Sequence, residues 1–284
     1  MSSLAQVLNT CPEFSKKYKC KPCLVHEITK SDADQIFKEH YDLVIYQNIS
    51  KDYRGLGYDC ESFKCEKIRL TNAYYQGYFP DSGYLYSKSN HYGEIQDLIM
   101  FYRWMWKVGG VKNPKIEYCS YEFPEGKLPV EQEKFYASGY NLQEHHLALA
   151  KLDWRDDLFQ ADIRVTNFIR QNFRKKRLFH TMNHPTLSLF EEEARQILTL
   201  SDIEGNVNIN GLSDPMNFFQ LPIYQATQKN LNLEFNCPAV YRRNNITYTP
   251  QEEYNQMSKF YQDMPSELRD ENLQNLISKR ISFW

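Results

Sequence analysis

No apolar run in this 284-residue chain approaches the length of a bilayer span. Neither sign of charge prevails. The 34 Lys and Arg against 36 Asp and Glu leave a formal net charge of −2, so bulk electrostatics give no reason to expect nucleic acid or an anionic membrane as partner. Any anion-binding surface must therefore be local. A signal peptide is missing, and the seven Cys are odd in number and scattered, which argues for reduced thiols in a cytoplasmic setting. The sequence also lacks a Walker loop, a Gly-x-Gly-x-x-Gly fingerprint and a Gly-x-Ser-x-Gly elbow. Internal repeats and low-complexity tracts are absent as well. What remains is an ordinary globular composition, 42% hydrophobic and 25% charged, which can bury a sizeable core. The 21 Tyr predict many positions that are half-buried and half-wet.

The pattern along the chain alternates. Leu4, Val7, Leu8 and Cys11 fall on one helical face, which Pro12 is expected to end. Residues 18–28 read as a strand bent by Pro22, and residues 31–40 as a helix with Ala33, Ile36 and Phe37 inward. The segment Leu43-Val44-Ile45 within residues 41–49 predicts a strand buried on both faces. Residues 67–70 repeat the pattern more weakly and end in Thr71-Asn72. The aromatic loop Tyr74-Tyr75-Gln76-Gly77-Tyr78-Phe79-Pro80 is expected to be a surface lid. Helices are expected over 94–108, 143–149, 158–172, 251–262 and 266–278, and a further strand over 178–182 returning to the first sheet. These elements predict a single α/β domain over 1–284. It would comprise a small parallel sheet of βα units in 1–90, a mainly helical 91–177, a returning strand and helix in 178–200, and a loop-rich helical 201–284.

Three constellations carry possible chemistry. Cys20-x-x-Cys23 with His26 resembles half a zinc site, but Cys60 and Cys65 are four residues apart and supply no matching pair, so no metal is expected. Arg170, Arg174, Lys175, Lys176 and Arg177 place five cations within eight residues at a helix end. Two would suffice to complement the helix dipole, and the excess points to phosphate. The segment Phe179-His180-Thr181-Met182-Asn183-His184-Pro185-Thr186 follows directly. Pro185 suits a first helical position, Ser188 and Glu191 have capping-box spacing, and Leu187, Phe190, Ala194, Ile197 and Leu198 recur at helical spacing. That puts His184 beside a helix N-terminus, where the field favours neutral imidazole. Two readings stay open there, a general base and a polar cap.

The order of Cys11-Pro12-Glu13-Phe14, Tyr41-Asp42-Leu43-Val44-Ile45-Tyr46-Gln47, Asp52-Tyr53-Arg54-Gly55, Gly77-Tyr78-Phe79-Pro80 and Arg177-Leu178-Phe179-His180-Thr181-Met182-Asn183-His184-Pro185-Thr186 resembles the WcbI-like polysaccharide-biosynthesis family. The resemblance runs over nearly the whole chain. It implies a coenzyme A-dependent O-acyltransferase, with acetyl-coenzyme A as co-substrate and a sugar hydroxyl of a surface or capsular polysaccharide as acceptor. In that expectation His184 is the base, and Gln47 and Asn72 stabilise the oxyanion. Arg54, Arg174, Lys175, Lys176, Arg177 and Asn183 hold the coenzyme. The family typically opens with a strand ending in Gly-Asn-Cys-Gln just before the helix that here begins at Ser2, and Met1 stands where the residue after that Gln would stand. Two expectations follow: a reading frame that starts upstream, which the abrupt helical start favours, or a chain without that loop. The second leaves a coenzyme-binding protein without chemistry, and a hydrolase using the same edge is a further alternative.

Overall fold

The structure, a computed structural model, describes residues 2–25, 27–48, 55, 57, 59–80, 139–237, 241–244, 246–249 and 252. It is an α/β fold that divides into two compact units, Met1–Tyr75 with Leu147–Asn217, and Gln76–His146 with Phe218–Trp284. The helices expected over 94–108 and 266–278 lie outside the described residues, as do Arg54 and, apart from Glu252, the helix expected over 251–262.

The first unit is organised around two helices. Helix α1 (Ser2–Leu8) buries Leu4, Val7 and Leu8. Pro12 does not simply end it. Pro12 opens a second helix, α2 (Pro12–Lys17), at the first helical position, where proline's missing N–H leaves nothing unpaired. No strand forms among the described residues of 18–28. Pro22 offers no ladder donor, and Lys21 reaches out to Glu39 instead, at 2.6 Å. Helix α3 (Lys30–Ile36) starts on a capping box between Thr29 and Asp32, one residue ahead of the expected start at 31, and buries Ala33.

Strands β1 (Leu43–Gln47) and β2 (Glu66–Leu70) pair in parallel, from Leu43 opposite Glu66 to Gln47 opposite Leu70. Leu43, Val44 and Ile45 are only part-buried, so the strand is not enclosed on both faces as its sequence predicts. Leu70 makes a further parallel bridge to Ile163, and Asp162 accepts from the backbone N–H of Arg69 at 2.8 Å. Helix α4 (Tyr140–Leu158) contributes residues 147–158 to this unit, and α5 (Thr166–Asn172) follows. Leu158 thus ends one helix rather than beginning the next.

Strand β3 (Phe179–Thr181) lies where a strand is expected, but it does not return to the β1–β2 sheet. It pairs antiparallel with β4 (His184–Pro185) as a short hairpin. Two turn residues, Met182 and Asn183, allow that local pairing. Ile163, and not this strand, makes the further bridge to Leu70. Helix α6 (Leu187–Leu200) then buries Leu187, Phe190, Ala194, Ile197 and Leu198, all as their spacing predicts, and packs against α1. Ile197 is fully buried. Ile197→Val should therefore lower stability by about 0.5–1.5 kcal/mol, readable as a shifted midpoint in urea denaturation.

In the second unit, β5 (Phe219–Gln220), β6 (Tyr241–Arg243) and β7 (Ile246–Tyr248) form an antiparallel sheet beside α7 (Gln225–Leu231) in sequence. Tyr241 packs edge-on against Phe219 and tilted against Tyr248. The aromatic loop is core rather than lid, since Tyr75, Tyr78 and Phe79 are almost wholly buried. Within this unit Tyr78 meets Phe79 and Phe235 edge-on. Large ring area outweighs the polar hydroxyls there.

Candidate active site

The ends of β1 and β2 lie side by side, because Gln47 pairs with Leu70 and the N–H of Asn48 donates to the Leu70 carbonyl at 3.2 Å. Ligands of parallel sheets gather at this carboxyl edge. Gln47 is half-buried and Asn72 exposed. Their side-chain amides carry no hydrogen bond among the described residues. Between them, Thr71 turns inward and donates from Oγ1 to buried Asp156. Arg155 fixes the backbone by donating from Nη2 to the Asn72 carbonyl at 2.7 Å, and its guanidinium lies 5.1 Å from the Tyr74 ring centre.

That segment leads directly to the hairpin. The N–H of Tyr75 donates to the Met182 carbonyl at 2.7 Å, and the Tyr75 ring stacks on Phe179 at 5.3 Å. The hairpin turn is fastened by fully buried Thr181. Its Oγ1 accepts from the N–H of His184 at 3.2 Å and donates to Asn183 Oδ1 at 3.0 Å. Asn183 and His184 are both half-buried. One backbone hydrogen bond thus ties the segment after β2, which carries Asn72, to the hairpin that carries Asn183 and His184.

The helix N-terminus beside His184 differs from expectation. Pro185 belongs to β4, Thr186 occupies the cap but turns its hydroxyl to the Arg177 carbonyl at 3.2 Å rather than to the helix, and Ser188 and Glu191 form no capping box. Glu191 instead accepts from Arg195 at 2.8 Å. The first free N–H of α6, that of Leu187, is satisfied by Asp214 Oδ2 at 3.1 Å. The same carboxylate bonds buried His180 Nε2 at 2.8 Å and accepts from the N–H of Met216 at 3.0 Å. Burial alone would raise this carboxyl. Its bonds and charge interaction with His180, helped by the two backbone N–H groups, outweigh that and hold it below the usual carboxylate range. The sequence reading missed this pair, because its partners are 34 residues apart and no local pattern joins them. Only Asp214-Pro215, a turn signal, marks the place.

The basic run is partly committed to structure. Arg177 donates to the carbonyls of Phe179 at 2.9 Å and His180 at 3.1 Å, tying down β3. Arg170 pairs with Asp153 at 3.1 Å. Arg174 and Lys176 lie near the Phe173 and Phe168 rings, while Lys175 is exposed. Of this run, Arg174 and Lys175 are the exposed cations just past α5, and Lys176 is half-buried.

Among the described residues no three His, Cys, Asp or Glu side chains come together as a metal site. Burial pushes the Cys60 thiol up to about 11, and also raises Cys20 and Cys23. These thiols are protonated at neutral pH and are poor nucleophiles there. No helix among the described residues is long and apolar enough to cross a membrane.

The family model described as the polysaccharide biosynthesis enzyme WcbI matches residues 1–106 and 122–206. A solved structure described as WcbI, a novel polysaccharide biosynthesis enzyme, superposes with a TM-score of 0.74 at 21% identity, covering 98% of this chain and 92% of that one. That protein is described as native, without a disulfide bond between coenzyme A and one of its cysteines. A comparison with curated protein sequences gives no match.

Proposed function

Because the chain belongs to the family of the polysaccharide biosynthesis enzyme WcbI, we propose that it transfers an acyl group, acetyl in the first instance, from coenzyme A to a sugar hydroxyl. The observation that carries the reading is the Tyr75–Met182 hydrogen bond, which joins the Gln47 and Asn72 strand ends to the hairpin bearing His184. In this reading His184 accepts the proton of the sugar hydroxyl as the oxygen attacks the thioester carbonyl. Gln47 and Asn72, with free amides, donate to the developing oxyanion. Collapse breaks the carbon–sulfur bond, and the proton held on His184 passes to the departing sulfur. Arg174, Lys175 and Lys176 hold coenzyme phosphates, with Asn183 as a polar ligand near the thioester. Arg54 keeps the same role as a proposal.

Calorimetric titration with coenzyme A and acetyl-coenzyme A, repeated at rising salt, tests the binding half. Affinity should fall as salt screens the phosphates. The variant Lys175→Glu/Lys176→Glu should bind about tenfold more weakly at low salt, a loss of ~1.4 kcal/mol. Unchanged affinity would move the phosphate site elsewhere. Thiol release that depends on an added sugar tests transfer. Release without any sugar would make the protein a thioester hydrolase instead.

A further inference from the structure

Asp214 bonds both flanks of the hairpin that bears Asn183 and His184. On the side before the turn it takes His180 Nε2 of β3, and on the side after it takes the N–H of Leu187 at the start of α6. Its second oxygen is fixed by Met216, and the neighbouring Ser213 carbonyl accepts from Gln6 Nε2 of α1 at 3.4 Å. Farther back along the same segment, the N–H of Asn208 donates to Thr10 Oγ1 at 2.9 Å, and Gly205 packs so closely on Cys11 Sγ that a Cβ there would lie 2.7 Å from it. The carboxylate is therefore held to the α1–α2 end of the unit, and through it the hairpin is held too.

The protonation pattern follows from these donors. An ionised carboxylate only accepts, so Nε2 carries the hydrogen, and in the neutral ring Nδ1 is the acceptor. His180 Nδ1 is buried and makes no hydrogen bond in the structure. A ring with one nitrogen committed to Asp214 and the other enclosed is suited to bearing load rather than to exchanging protons with an acceptor.

We propose that Asp214 is a positioning residue for His184 and Asn183, acting through His180 and the α6 N-terminus to hold their hairpin against the strand ends. The inference rests on the acyl-transfer reading above for its kinetic consequence, but not for its structural one. Misplacing a reacting group by about 1 Å can cost on the order of a hundredfold in rate. Asp214→Ala should accordingly lower kcat by about 10–100-fold while coenzyme A affinity falls by no more than about threefold, through Asn183, since Arg174, Lys175 and Lys176 are not among its partners.

The test pairs that measurement with His180→Gln, whose amide can still donate to Asp214, and with amide hydrogen exchange. His180→Gln should retain most of the activity. Exchange of the His184 N–H, protected by Thr181 in the parent, should speed up in Asp214→Ala and stay slow in His180→Gln. A folded Asp214→Ala protein with unchanged kcat and unchanged His184 exchange would overturn the proposal. Loss of activity in His180→Gln with exchange still slow would also overturn it, by giving His180 a proton-transfer role. Should the parent chain bind coenzyme A yet transfer nothing to any sugar, the acyl-transfer reading fails, and the exchange experiment alone still decides the clamp.

Discussion

His184→Ala is expected to lower kcat for acyl transfer by about 10²–10⁴-fold, the usual contribution of a positioned general base, with coenzyme A affinity nearly unchanged. The split follows from the layout. In the proposal the coenzyme phosphates lie with Arg174, Lys175 and Lys176 just past α5, whereas His184 sits on β4 beside the turn fastened by Thr181. The Thr181 hydroxyl bonds the backbone N–H of His184, so an alanine keeps that anchor. The side chain is only half-buried, and its removal should leave the hairpin in place. Thiol release gives kcat, and calorimetry gives the affinity. If turnover survives within a few fold, His184 is not the base and its role is structural. If affinity falls together with turnover, His184 contacts the coenzyme itself.

The α6 stripe, the β1 and β2 strands and the buried face of α1 were legible in the sequence, because each follows from periodicity within one segment. Pairing was less legible. A strand over 178–182 is readable from Leu178, Phe179 and Met182, but its partner depends on which backbone is nearest. The two-residue turn at Met182 and Asn183 brings β4 closer than the parallel sheet. The short strands β5, β6 and β7 escaped notice because two or three residues carry no period.

The candidate site divides in the same way. His184, Asn183, Gln47 and Asn72 are recognisable because they stand at element ends, where the chain itself signals a boundary. Arg177 illustrates the opposite case. In sequence it is one more cation of a phosphate-seeking run, yet its guanidinium is turned onto the Phe179 and His180 carbonyls. Geometry alone separates a cation bound to backbone from one open to solvent. Asp214 is the extreme, since its three donors come from β3, α6 and its own turn, and only the folded chain collects them.

The second large effect concerns Glu193, a carboxyl on α6 that is 4% exposed and has no partner for Oε2. Burial pushes it from the ordinary 4.5 up to about 8, and nearby Asp156 adds to the rise. A protonated glutamic acid is therefore the native form at neutral pH, while the unfolded chain ionises near 4.5. Between those values the native state holds more protons than the unfolded state, so stability must fall as pH rises. The span corresponds to a loss on the order of 4–5 kcal/mol between about pH 4.5 and pH 8, with little further change from this group above that. Glu193→Gln removes the titration while keeping the shape. Urea denaturation at several pH values should show the two proteins converging near pH 5 and the variant clearly more stable near pH 8.5. Some slope should survive in the variant, because burial raises Asp156 in the same direction despite its bond from Thr71. Parallel curves across the whole range would mean that Glu193 ionises in the native state at an ordinary pH. Water would then have to reach that carboxylate, since a buried charge without a partner is the costlier arrangement.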